Sequence, residues 1–237
     1  MRLIAILCLI GLAGCVPATE TGAPSRPAPT SPPTTPSMPT RAKVDQFVSV
    51  VNSVEPVAEN VCRSRTAAGT NCDFRIVVDD RPNQPVNAYQ TLDKSGRPII
   101  AFTLPMIAEV RNRDELAFVM GHEAAHHIAG HIPRQQQNAM AGAVLLGGLA
   151  TLGGASADAV RTAADLGASV GARSYSKEFE LEADALGTAI TRAAGYDPVR
   201  GAAFFTRIPD PGDRFLGTHP PNAQRIETVR RVDAQLR

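Results

Sequence analysis

The sequence predicts an α+β domain, predominantly helical, with a small antiparallel sheet beside a helix that carries two histidines. Three observations predict it. Between residues 41 and 237 apolar residues recur mostly at helical spacing. Three short runs rich in β-branched and aromatic residues fall between 74 and 103, two of them joined by a turn. The pentapeptide His122-Glu123-Ala124-Ala125-His126 lies in a helical stretch, and a second, acidic helical stretch follows it.

The first elements are not part of that domain. Residues 1–14 read as a secretory signal, with Arg2 as a short positive region and Leu3 to Leu12 as an apolar stretch too short to span a bilayer. Leu12-Ala13-Gly14-Cys15 resembles a bacterial lipobox. The resemblance implies cleavage before Cys15, a lipid on Cys15, and attachment to a membrane on its periplasmic face. Val16 in place of Asp implies sorting to the outer membrane. Residues 16–40 are Pro, Thr, Ser and Ala with almost no large apolar side chains, so 15–40 reads as an extended tether that cannot bury a core.

Val44, Phe47, Val48, Val51 and Val54 recur at helical spacing and predict a first helix. Phe74–Val78, Val86–Leu92 and Pro98–Thr103 read as strands, the last two closed by the turn Asp93-Lys94-Ser95-Gly96. Asn112 and Glu115 resemble a capping box that opens the next helix, whose apolar face is Leu116, Phe118, Val119 and Met120 and whose end is expected by Pro133. Segment 138–157 has no charge. Gly147-Gly148 and Gly153-Gly154 are expected to break it into a loose hairpin beside the site, a lid or a membrane-touching element. Ala159–Val170 continues as helix into 174–187. Two short helices follow Tyr196-Asp197-Pro198, with His219-Pro220-Pro221 before the last.

The histidine spacing carries chemistry. Residues four apart on a helix lie about 40° apart around its axis, so His122 and His126 point the same way and suit one Zn²⁺. Glu123 lies beside the first ligand, placed to take a proton from water. A third ligand is needed. His131 falls about 140° from His126 on a continuous helix and His127 about 100° off the ligand face, so both read as surface or supporting residues. In 174–187, Glu180 shares a face with Asp184, and Glu178 with Glu182 on roughly the opposite side. Spacing leaves open which pair faces the metal.

The chain resembles the gluzincin metallopeptidases of peptidase family 48, the HtpX and BepA type, over most of its length after residue 41. That family pairs HExxH with a downstream helix of the form (S/A)xxxExEAD. Ser176, Lys177, Glu180, Glu182, Ala183 and Asp184 fall on it, with Lys177 where Arg is usual. Asn87-Ala88-Tyr89 resembles the edge strand before the active-site helix, and Thr218-His219-Pro220 with Arg225 resembles an HPxxxxR element. The resemblance implies a zincin-like fold and one zinc held by His122, His126 and Glu180. It also implies Asp184 and Arg225 behind the ligands, catalysis by Glu123 with His219 nearby, and substrate strands laid along Asn87, Ala88 and Tyr89. The expected activity is a zinc endopeptidase acting on unfolded or misassembled envelope proteins. The alternative is a weak or latent zinc lipoprotein serving as chaperone or assembly partner. No tetratricopeptide repeat is expected in 41–237.

Four cysteines are present. Cys8 leaves with the signal and Cys15 carries lipid. In an oxidising periplasm, Cys62 and Cys72 around a short polar loop read as a disulfide, the alternative being two free thiols. A net charge of +1 without a basic patch argues against nucleic acid as a partner.

Overall fold

Helix α1 (Arg41–Arg65) opens at Thr40, whose hydroxyl accepts the Lys43 N–H. Its buried stripe is Phe47, Val50, Val54, Ala58 and Cys62, at three- and four-residue spacing. Val44 and Val48 fall beyond the rim of that arc and are 41% and 51% exposed. The computed structural model describes residues 38–237 apart from Tyr175, Arg214, Phe215, Leu216 and Thr218. The signal, Cys15 and the tether up to residue 37 lie outside the described residues. Cys62 is disulfide-bonded to Cys72, which fastens the end of α1 to the segment entering the sheet.

Three strands follow, β1 (Arg75–Asp79), β2 (Ala88–Leu92) and β3 (Pro98–Thr103), in the order β1-β3-β2. The β2–β3 hairpin is antiparallel, as the turn implies. Asp93 accepts the backbone N–H groups of Ser95 and Arg97, and Gly96 takes φ +83°, a left-handed conformation that favours glycine. Strand β1 joins β3 in parallel, so the sheet is mixed rather than antiparallel. The connection 80–87, with Pro82 and Pro85, carries the chain to the far side of β3. β1 and β2 therefore flank β3 instead of pairing with each other, and β2 is left as an edge.

Short α2 (Leu104–Glu109) leads to α3 (Arg113–Ile128), the central helix, buried at every residue from Glu115 to Ala125. Asn112 caps it by accepting the Glu115 N–H. The Glu115 carboxylate does not return to Asn112. It accepts the Arg111 N–H at 2.7 Å and pairs in a fork with Arg207. Gly130, at φ +66°, ends the helix three residues before Pro133, which instead sits in the first turn of α4 (His131–Leu152). Helix α4 runs straight through Gly147-Gly148 and stops only at Gly153-Gly154, then α5 (Ala157–Arg173) returns against it. The hairpin is close-packed rather than loose: a Cβ on Gly142 would lie 2.0 Å from the Gly167 carbonyl oxygen. Among the described residues no helix is long and apolar enough to cross a membrane.

Helix α6 (Ser176–Ala193) crosses α3 where Gly121 and Gly187 touch. A Cβ on Gly187 would lie 2.8 Å from the His122 backbone nitrogen, so only glycine permits this approach. Short α7 (Pro198–Ala202) and a single 3-10 turn lead on to α8 (Asn222–Gln235), which lies against α6 and is tied to it by Arg192 and Asp233.

Candidate metal centre

The α3–α6 crossing brings together the two histidines singled out by spacing and the glutamate implied by the resemblance. His122 and His126 project from α3 with their Nε2 atoms 3.0 Å apart. Glu180 of α6 closes the group, with Oε2 3.6 Å from His122 Nε2 and Oε1 3.4 Å from His126 Nε2. One ligand atom from each of these residues can be chosen so that all three lie within 4.8 Å of one another. Glu178 points to solvent. Glu182 is on the outer side of α6, away from this point.

Each donor is held from behind. Asp184, fully buried, lies 3.0 Å from His122 Nδ1 and takes two bonds from Arg225, at 2.7 and 2.8 Å. The Arg225 guanidinium lies 3.4 Å from Glu180 and stacks 3.9 Å above the Phe205 ring. His219 Nδ1 is 3.2 Å from Glu180 Oε2, while its own side chain is half exposed. Its neighbour Thr218 lies outside the described residues.

His131 takes the supporting of the two roles left to it, by a route that a continuous helix does not offer. Gly130 breaks the helix, so the 140° separation no longer applies, and His131 turns back with Nδ1 2.8 Å from His126 Nδ1. Its Nε2 is 3.2 Å from Glu182, which also pairs with Arg134 at 2.7 Å, and its ring stacks on Phe179 at 4.6 Å. Glu182 can only accept, so His131 donates through Nε2, accepts at Nδ1 from His126, and leaves His126 Nε2 bare. The signal was present in the sequence as Gly130. His127 goes elsewhere, to the Asn71 carbonyl at 2.8 Å in the disulfide loop.

The electrostatics follow from burial and pairing. Burial opposes a charge on His122, but its bonds to Asp184 and Glu180 outweigh this and raise it to about 10. Burial, then the neighbouring His122 charge, pushes His126 down to about 3. Burial would raise Glu180, yet His122 and His219 hold it well below the usual carboxylate range. Burial lifts Glu123 to about 7, and the Gln90 backbone N–H donates toward it. A divalent cation here would displace the proton from His122 Nε2, leaving two neutral imidazoles and an ionised carboxylate as the donor set.

The group lies in a cleft of about 770 Å³. Edge strand β2 forms one wall, and Met106, Phe118, Val119, Phe204 and Phe205 form an apolar recess. Asn87 turns its backbone toward β3, donating to Thr103 Oγ1 at 3.1 Å and accepting from Thr103 N at 3.0 Å. By alternation the backbone groups of Ala88 face outward. Tyr89 is anchored through its hydroxyl to Asp79 at 3.1 Å.

The sequence model of Peptidase family M48 matches residues 49–233, which include every one of these groups. The chain belongs to that metallopeptidase family. A protein of Vibrio cholerae serotype O1, named provisionally as a beta-barrel assembly-enhancing protease, is 31% identical over 132 residues. That match covers 52% of this chain and 26% of the relative, so the chain spans about a quarter of the curated protein it matches. Family membership accounts for the pairing of HExxH with the acidic helix, since both motifs fall within the matched span.

Proposed function

We propose that the chain is a zinc-dependent endopeptidase of the bacterial envelope that cuts unfolded or misassembled periplasmic and outer-membrane proteins. The observation that carries the reading is the convergence of His122, His126 and Glu180 beside Glu123 at an open strand edge. His122 Nε2, His126 Nε2 and the Glu180 carboxylate would hold the ion, and zinc there would supply Lewis acidity to the attacking water and the scissile carbonyl. Glu123 takes the proton of the water and returns it to the leaving amine. Its Gln90 contact keeps the carboxylate next to the edge where the substrate backbone lies. An extended segment adds as a strand to the outward backbone groups of Ala88, so selection is for unpaired backbone rather than a fixed sequence. His219 donates toward the developing oxyanion.

The envelope assignment rests on the signal at 1–14, the lipobox Cys15, the tether 15–40 and the disulfide of the 41–237 domain. The Vibrio relative's name places that protein in β-barrel assembly, which supports the same substrates here. A second reading has one specific observation behind it. His219 lies within 3.2 Å of a proposed ligand, close enough to act as a displaceable latch that keeps the protein latent and leaves it as an assembly partner. The deciding experiment incubates the purified protein with an unfolded polypeptide, with and without chelator, beside Glu123→Gln. Cleavage by wild type alone, with zinc retained in the variant, is expected. Equal cleavage by both would remove Glu123 from the mechanism.

A further inference from the structure

The α4–α5 hairpin is built inside out for a segment that lives in water. Its seam is lined by small residues. Gly142 meets Gly167 and Gly171 meets Asn138 at backbone distance, and Gly147 packs on Ala164. Its large apolar side chains face outward: Met140, Val144, Leu145, Leu149 and Leu152 on α4 are 57–87% exposed, and Leu166 on α5 is 58% exposed. The five on α4 cover about half of the helix circumference. No charge occurs from Gln135 to Ala157. The outward face of α5 is different, with Asp158, Arg161, Asp165 and Arg173 exposed.

In water a helix pair gains by placing its leucines in the seam, because burial removes apolar surface from solvent. In lipid that gain vanishes, and helices associate instead through small residues that let backbones approach. The hairpin follows the second pattern along α4 and a water-facing pattern along α5. Neither helix is long and apolar enough to span. The combination fits an element lying in the interface, with apolar side chains in the acyl boundary and charges in water. The chain outside the described domain points to the same occupant. Cys15 and residue 38 are about two dozen residues apart, a reach of about 70 Å if extended as polyproline II.

We propose that the outer face of α4 is a bilayer-docking surface, seated in the leaflet that carries the Cys15 lipid. The proposal rests on the anchor reading for which membrane is met, and not on the peptidase reading. Docking would fix the orientation of the site, because α4 begins at His131, which touches His126.

The chain has no tryptophan, so a single introduced one reports a single place. The full lipidated protein carrying Leu149→Trp, and separately Asp165→Trp, is reconstituted with phosphatidylcholine vesicles with and without brominated acyl chains. Co-sedimentation of the protein reports the anchor, and quenching of the tryptophan reports the hairpin. Leu149→Trp should be blue-shifted, protected from acrylamide, and quenched by brominated lipid about threefold or more beyond Asp165→Trp, as expected for an interfacial residue. Sedimenting protein with a Leu149→Trp signal quenched by acrylamide and not by lipid would overturn docking and leave the anchor standing. A blue shift without lipid quenching would mean that protein covers the face, a second copy or a bound polypeptide, and would also overturn it. If the protein fails to sediment, the anchor reading fails, and excess vesicles still decide docking by the same quenching.

Discussion

An imidazole offers a metal only the ring nitrogen that carries no proton, so each ligand histidine needs a partner for its other N–H. Asp184 serves His122 and His131 serves His126, with Glu182 fixing the His131 tautomer. His131→Ala should weaken metal affinity by about 10–100-fold without removing a ligand. Competition with a chromogenic chelator measures this, and an unchanged affinity would show that His126 is oriented by α3 alone. In the same assay Glu180→Ala should lose far more than Glu182→Ala. His219→Ala separates three outcomes by turnover at constant metal loading. A fall of about 10²–10³-fold marks an oxyanion donor. A rise marks a latch, and no change leaves a surface histidine. The convergence of His122 and His126 was legible because HExxH is a local spacing on one helix. The contact of His131 with His126 was not, because its direction depends on a left-handed residue at Gly130, and a helical wheel assumes that no such residue intervenes.

At the scale of elements, the site exists because α3 and α6 approach more closely than side chains allow. A Cβ on Gly187 would stand 2.8–2.9 Å from backbone atoms of His122, and helix backbone cannot give way as a flexible side chain would. Gly187→Ala should therefore destabilise by about 1–3 kcal/mol through overpacking and lower metal content by moving Glu180 away from the histidines. Gly148→Ala is the control: its Cβ meets nothing within 4 Å, and it should stabilise by about 0.4–1 kcal/mol. Urea unfolding and metal stoichiometry read both, and a fully stable, fully loaded Gly187→Ala would sink the argument. The β2–β3 hairpin was legible from its turn, and the helices from their apolar stripes. The place of β1 was not, since pairing across a proline-containing connection is non-local. The glycines of α4 read as breakers because spacing reports missing side chains, while only the partner helix shows that they form a seam.

For the molecule as a whole, on the proposed peptidase reading, the cleft sets what can be cut. One wall is a strand edge with outward backbone groups at Ala88, and the floor carries Glu123 and the three donors, within about 770 Å³. That space takes a few side chains of an extended segment and excludes a folded domain, whose strands already spend their N–H and C=O groups on one another. Cleavage of a folded substrate must then pass through local opening, and each 1.4 kcal/mol of opening free energy lowers the susceptible population about tenfold. The same polypeptide, presented folded and then permanently unfolded, should be cut at rates that differ by its opening equilibrium. Mass spectrometry of early products from the folded form should place the cuts in its least protected segments. Rates that stay equal between folded and unfolded forms of one substrate would mean that recognition uses a surface outside the cleft, and the strand-edge account of specificity would fall with that result.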